Sequence, residues 1–482
     1  MADPGCSPRS TGGAEPDRRV AGSFRDPAGF VFERDGVVYR QVAPSFAEHY
    51  DRLMGSGLHA ALVERGLLVD HDEVDTPPAA APAHRVLRPE RVPFVSFPYE
   101  WCPGQLRGAA LATLEAQLVA MDHGMSLRDA SAYNVQFLRG APVLIDTLSF
   151  EVLPTGQPWV AYRQFCQHFL APLALMCQVD VRLGQLLRSH LDGIPLDLAS
   201  RLLPGRSKLS PGLGIHIHQH ARSQRRHADG GAPAPGKAGR FSEQAFRGLL
   251  DSLRGTVGRQ TWEPSATVWR DYDAERPSYS DESFEHKTEL VAKLLGELSP
   301  SVVWDLGANT GRFSRLAAST GASVVSLEAD PSAVELSWRQ VHRDGETTVL
   351  PLIADLANPS PGLGWEHEER PSLTDRGPAD VALALALIHH LAISNNLPLD
   401  RVAAWFRRLT SWLLVEWVPK SDVMVRRLLV SREDVFDGYT QEGFEAAVDP
   451  WFTVERREPL RGSERTLYLL HGRSAAGAAQ AG

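Results

Sequence analysis

The stretch Ser301–Asp330, SVVWDLGANTGRFSRLAASTGASVVSLEAD, constrains the chain more than any other. Val302–Leu306 is short, β-branched and apolar, as a strand is when helices cover both faces of a parallel sheet. A glycine turn follows, then a helix from about Arg312, then a second strand, Ser323–Leu327, that ends in an acid. Gly307 and Gly311 flank a turn where backbone must approach a ligand closely, and the helix beyond points its N-terminus at the same spot. Glu328 stands where a βαβ unit places an acid to hydrogen-bond ribose hydroxyls. The dinucleotide pattern Gly-x-Gly-x-x-Gly is absent, and Asp305 would repel a pyrophosphate while suiting a ligand with a cationic end. Without a ligand, the same residues would make a βαβ unit with an ordinary tight turn.

DLGANTG resembles motif I of the class I S-adenosylmethionine-dependent methyltransferases, and the resemblance runs over roughly 241–473. It implies an α/β, Rossmann-like sheet of seven strands with S-adenosyl-L-methionine as cofactor. Asp305, Gly307, Asn309 and Gly311 would surround the amino-acid end of that cofactor, and Glu328 its ribose; Asn309 stands where the family often has a middle glycine. The strand VLPLIA ends at Asp355, where the family commonly has an acid on the adenine amino group, although an Asp opening a turn before Asn358-Pro359 has a local explanation too. Upstream, where the family folds residues over the cofactor, Tyr272, Tyr279 and Ser280 either close the pocket or anchor a surface loop. Asp281 is expected to cap a helix whose face carries Phe284, Val291, Leu294, Leu295 and Leu298.

DVALALALIHHLAISNN predicts a fourth strand, buried on both faces and ended by His389 and His390 beside the topological switch point. Neighbours on a strand face opposite ways, so one of the two would reach the cleft. WLLVEWVP supplies a fifth strand ending in Glu416, Trp417 and Lys420, and FTVERREPL with RTLYLLHGR reads as a closing antiparallel pair. The loop 360–379 is expected to shape substrate entry. Methyl transfer needs proximity, and a base only where the acceptor has a proton to lose. His390 or His389, with Glu416 third, are the candidate catalytic residues, a histidine with its pKa near working pH being suited to the task. The other reading is that the histidine pair only ends the strand and packs at the cleft edge.

The 482 residues are long enough for two or three domains, and 43% hydrophobic with 23% charged residues describes a soluble globular chain. A net charge of −9 argues against a general grip on nucleic acid. The first residues lack the apolar core of a signal peptide, no run is long enough to span a membrane, and the four cysteines show neither zinc spacing nor a disulfide framework. A reducing cytoplasm is the expected location, with no metal. Residues 1–21 and 474–482 read as disordered tails, and 223–240 as a linker between an N-terminal part, 22–222, and a C-terminal part, 241–473.

In the N-terminal part, FVFERDGVVYRQV reads as a β-hairpin turning at Asp35-Gly36. A helix is expected over Ser45–Arg65 with Ser45 as cap, then a short strand VPFVSF, a helix around Arg107–His123, and a core helix within Trp159–Cys177. His216, His218 and His220 alternate as on a polar edge strand or loop, and alternate histidines can bind zinc. Asp129, Asn134 and Asp146, the last ending an apolar strand, resemble the catalytic loop and metal-binding aspartate of protein-kinase-like and aminoglycoside-phosphotransferase-like folds. That resemblance implies an acceptor-orienting Asp129 and a magnesium pair in Asn134 and Asp146. It departs from the pattern in lacking a glycine-rich loop, in having Arg40 near the usual strand lysine, and in Asp146-Thr147-Leu148 without glycine. The alternative is that these residues brace turns in a degenerate kinase-like or unrelated α+β domain.

The words FPYEW, DASAYNVQF, LIDTLSFE, YRQFCQHFLAPLAL and ALIHHLAISNN resemble a group of two-part bacterial methyltransferase-like proteins, some of nodulation or host-specificity type. The implied function is methyl transfer to a small-molecule or carbohydrate-like acceptor. The rivals are a magnesium- and ATP-dependent phosphotransferase and a non-catalytic cofactor-binding scaffold.

Overall fold

The computed structural model describes residues 17–222, 241–264, 279–430 and 433–473. The tail residues 1–16 and 474–482, the linker and Tyr272 lie outside them.

The C-terminal part is built on β10 (Val302–Leu306), β11 (Ser323–Glu328), β12 (Val349–Ile353), β13 (Ala379–Ala384), β14 (Thr410–Trp417), β15 (Phe452–Pro459) and β16 (Thr466–Gly472). Among the described residues these form one sheet in the order β12-β11-β10-β13-β14-β16-β15. The neighbours from β12 through β14 run parallel, and β16 inserts antiparallel between β14 and β15. This is the α/β, Rossmann-like class I methyltransferase sheet that the sequence led one to expect. Order reverses between β10 and β13, the position where open α/β sheets bind ligands. Buried Val303, Trp304, Val324, Val381, Ala382 and Leu413 show why near-continuous apolar strands are needed there.

The N-terminal part carries β1 (Arg18–Arg19), β2 (Gly29–Arg34), β3 (Val37–Val42), β4 (His71–Glu73) and β5 (Arg85–Pro89), an antiparallel sheet in the order β1-β2-β3-β5-β4. The end of the expected disordered tail therefore joins this sheet, Arg18 opposite Glu33. The β2–β3 hairpin turns at Asp35 (φ +51°) and Gly36 (φ +75°), as two-residue loops with both φ positive do. Helix α1 (Pro103–Asp122) follows, then β6 (Met125–Leu127), the hairpin β7 (Val135–Leu138) and β8 (Ala141–Leu144), and β9 (Phe150–Val152), paired with β6.

Several expectations here need correction. Ser45 does not cap a long helix: a 3-10 turn at Pro44–Phe46 leads into Ala47–Gly55, and Gly57 at φ +77° separates this from Leu58–Glu64. VPFVSF is irregular, because Phe94 and Phe97 turn toward the C-terminal part instead of joining a sheet. The helical segment within Trp159–Cys177 is present and buried, with a π-helical turn at Cys166–Leu170. Gly214–Gln219 is π-helical and not a strand.

The two parts share one continuous apolar core. Phe94 meets Trp304 edge-on with ring centres 5.5 Å apart, and Phe137 meets Trp338 at 5.1 Å. Polar contacts complete the junction. The Gly104 N–H donates to Glu335 at 2.8 Å, and Gln105 donates to the Pro351 carbonyl at 2.8 Å. Helix α2 (Glu243–Gly258), although it follows the linker, packs on α1, with Phe246 near Trp159 and Arg247 paired to Asp122 at 2.7 Å. Among the described residues, no helix is long and apolar enough to cross a membrane.

Candidate functional site

The glycine turn leaves β10 with Gly307 at φ +76°, Asn309 at +50° and Gly311 at +86°, so three of its residues adopt left-handed backbone. At Gly307 a Cβ would come 3.2 Å from Leu387, and at Gly311 it would run into Arg315 and Ser337 at 2.7 and 2.8 Å. Asp305 is buried, and its Oδ2 accepts from Ser314, which itself accepts from Ser326. The Asn309 N–H donates to Glu328 Oε2 at 2.9 Å, and the Asp330 N–H donates to Oε1 at 2.8 Å. Burial raises the Glu328 pKa. Helix α3 (Asp281–Leu298) is capped by Ser280 and not by Asp281, the Ser280 hydroxyl accepting from the Ser283 N–H at 3.2 Å. Helix α4 (Arg312–Ala318) starts directly after Gly311. Asp305, Gly307, Asn309, Gly311 and Glu328 thus converge at the ends of β10 and β11. Asp355 lies exposed just past β12 and accepts from the Ala357 N–H at 2.9 Å, the local turn bond open to it in the sequence.

His389 and His390 do not end a strand. β13 stops at Ala384, and the histidines lie on a helical turn that continues as the π-helical segment His390–Ser394. Their ring centres lie 4.0 Å apart with the planes tilted by 42°, instead of facing opposite ways. His389 is buried, and its Nδ1 meets no hydrogen-bond partner among the described residues. Burial, and then the charge of Arg465, lowers the His390 pKa to about 4; burial, and then the charges of His390, Arg465 and Lys287, also hold His389 well below the ordinary histidine range. Burial therefore favours the neutral form of both imidazoles, in place of the expected titration near working pH.

Glu416, at the end of β14, is fully buried. Its Oε2 accepts from Lys287 at 2.7 Å, and its Oε1 accepts from Tyr279 at 2.7 Å and from Arg465 at 3.3 Å. Arg465 in turn pairs with Asp422 at 2.8 Å. Burial alone would raise the Glu416 pKa, but the charges of Lys287 and Arg465 and the bonds from Lys287 and Tyr279 outweigh it and hold it at about 2. A carboxylate held this way is a poor proton acceptor, and this argues against the catalytic reading of Glu416. Tyr279, expected over the cofactor, is anchored on the same carboxylate. Sequence reasoning missed Lys287, Asp422 and Arg465. Lys287 carried a signal: it interrupts the apolar face of Phe284, Val291 and Leu294, where a lysine needs a buried partner.

In the N-terminal part, Asp129, Asn134 and Asp146 also come together. Asp129 accepts from the Ser131 N–H at 3.0 Å and from Gln164 at 2.7 Å. Burial and the nearby Asp146 charge raise its pKa, partly offset by these bonds and one from Asn134. Asp146 is ion-paired with Arg40. Of the alternate histidines, His216 contacts the hydroxyls of Tyr162 at 2.7 Å and Ser252 at 2.9 Å, and His218 those of Ser200 and Ser207, both at 2.8 Å. All four ring nitrogens are engaged within the fold, not aimed at a metal. The loop 360–379 leans on the N-terminal part: Arg376 pairs with Glu100 at 2.5 Å, Arg370 lies 4.4 Å over the Tyr133 ring, and Glu369 pairs with Arg25 at 2.5 Å.

Comparison with known proteins supplies the relationship. No protein-family model matches the chain. Among solved structures the chain resembles WbdD, described as a bifunctional kinase-methyltransferase, with 16% identity, a TM-score of 0.30 and 45% of each chain covered. The chain thus spans less than half the length of WbdD. It also resembles the magnesium protoporphyrin IX methyltransferase ChlM of Synechocystis PCC 6803, at 17% identity and a TM-score of 0.30, covering 43% of this chain and 98% of that one. The likeness to nodulation protein NoeA of Rhizobium meliloti (strain 1021) is of a different order, with 36% identity over 473 residues, 94% of this chain and 96% of its relative. The chain belongs to the family of nodulation protein NoeA.

Proposed function

We propose that the protein is an S-adenosylmethionine-dependent methyltransferase acting on a small, hydroxyl- or amine-bearing acceptor. The observation that carries this reading is the turn 305–311, in which a buried acid, three left-handed residues and a helix start meet Glu328 across the sheet. The residues fit the cofactor. Asp305 suits a cationic amino-acid end, the glycines leave room that a Cβ would fill, and Glu328 stands at the second strand end where ribose hydroxyls are read. Asp355 would face the adenine end. S-adenosylmethionine, when bound, supplies the methyl group.

The chain's own contribution is orientation and proton acceptance. Leu387, packed against Gly307, ties the histidine turn to the glycine turn. His389 or His390, held neutral and weakly basic, would accept a hydrogen bond from the acceptor's O–H or N–H and, for a hydroxyl, take its proton as methylation makes that proton strongly acidic. Lys287, Arg465 and Tyr279 hold Glu416 charged beside them and leave it as an anchor. Incubation of the protein with methyl-tritiated S-adenosylmethionine and a bacterial small-molecule extract tests the reading. Label is expected to move into a small-molecule fraction, with the rate reduced in His390→Asn and His389→Asn variants. Label that stays on the cofactor with every fraction tried would favour the scaffold reading.

A further inference from the structure

A phosphotransfer centre of the kind that Asp129, Asn134 and Asp146 resemble needs two things. It needs carboxylate and amide oxygens left to hold a divalent cation, and a cleft that admits a nucleotide. Side chains of this chain take both Asp146 oxygens and fill the space between sheet and loop. Arg40, projecting from β3, pairs with Asp146 Oδ1, which also accepts the Leu148 N–H at 3.0 Å. Asp146 Oδ2 accepts from the Ser149 hydroxyl at 2.7 Å, and the Asn134 amide donates to that same hydroxyl at 3.2 Å. Asp129 is engaged by Ser131 and Gln164.

The cleft is filled independently. Leu148, two residues beyond Asp146, is fully buried in a small apolar cluster with Ala28, Val42, Phe46, Tyr50 and Leu87, all brought together by the sheet β1–β5 and its helices. A Cβ on Gly29 would come 2.7 Å from its Cδ1. Arg128, next to Asp129, pairs with Asp26 at 2.8 Å and lies 4.6 Å over the Phe46 ring. Sheet and loop are therefore closed on one another by an aliphatic plug and two arginine pairs.

We infer that Arg40 is an internal cation in the place of a metal, and that the N-terminal part is a self-filled structural node and not a nucleotide-dependent phosphotransferase. A guanidinium suits this role because its planar fork of N–H donors matches a carboxylate. Its removal would leave Asp146 and Asp129 as neighbouring carboxylates with an amide beside them, a set of hard oxygen donors suited to magnesium or manganese. The inference does not depend on the methyl-transfer reading.

The test has two arms. Magnesium-ATP titrated calorimetrically into the wild type is expected to give no binding. Manganese titrated into Arg40→Ala, followed by water-proton relaxation, is expected to bind at least about tenfold more tightly than to wild type, and Arg40→Ala/Asp146→Asn is expected to lose the gain. Arg40→Gln replaces the alanine variant if the latter does not fold. Wild type that binds magnesium-ATP, or a folded Arg40 variant that takes up no manganese, overturns the inference.

Discussion

The Asn309 N–H donates to the Glu328 carboxylate across 2.9 Å, so the end of β11 holds the glycine turn of β10 in shape. One carboxylate thereby fixes the loop and, in the proposed complex, reads the cofactor's ribose. Hydrogen bonds to a charged group contribute about 1.5–3 kcal/mol each. Glu328→Ala is therefore expected to weaken S-adenosylmethionine binding by about ten- to a hundredfold, measured by calorimetry. Binding equal to wild type would show that Glu328 only braces the loop.

The Lys287–Glu416 pair is buried at both ends. Removing one partner of such a pair leaves an uncompensated charge and costs about 3–5 kcal/mol. Lys287→Met is expected to lower stability in urea by about that amount. Lys287→Met/Glu416→Met should recover part of the loss, although Arg465 then keeps Asp422 alone. Equal stability of single and double variants would show that the charges do not act as a pair.

Arg376 joins the two parts of the chain through Glu100, with both side chains almost fully buried and the guanidinium 4.8 and 4.9 Å from the Phe94 and Phe97 rings. Arg376→Ala is expected to destabilise the whole chain by about 3 kcal/mol or more, because the apolar core runs through the junction. Unfolding should stay one transition by both fluorescence and circular dichroism. Loss of only one part's signal would mean that the parts unfold separately.

Acid should destabilise the fold before carboxylates titrate. His71, His168 and His216 are each held at about 4, chiefly by burial, against an ordinary value near 6.5. A depressed folded pKa means that the unfolded chain binds more protons between those values, so stability is full above about pH 6.5 and falls as pH drops toward 4. Tm measured by calorimetry is expected to decline steadily from about pH 7 to pH 5. A flat profile would contradict the neutral buried histidines.

Local signals carried the parts of the fold that local physics decides. The strand Val302–Leu306, the helix start at Arg312 and the Asp35-Gly36 hairpin stand where β-branching and positive-φ residues put them. The misreadings share a cause, which is that long-range packing outvoted local pattern. VALALALI reads as one strand, yet the chain turns after Ala384 and places Leu387 against Gly307, and an apolar run does not itself separate strand from buried turn. The alternating histidines look like an edge strand, but His216 and His218 are held by hydroxyls from distant segments on a π-helical turn. In the candidate site the glycine turn was legible as a motif. The Lys287–Glu416–Arg465 cluster was not, since its members lie on α3, on β14 and just before β16, far apart in the chain.

In the proposed function, Asp305 and its turn bind S-adenosylmethionine. Calorimetric titration of the cofactor into wild type and Asp305→Ala tests it most directly. Micromolar binding to wild type, about −8 kcal/mol, and its loss in a folded Asp305→Ala variant are predicted. Wild type that is folded and binds no S-adenosylmethionine would rule out the glycine turn as a cofactor site.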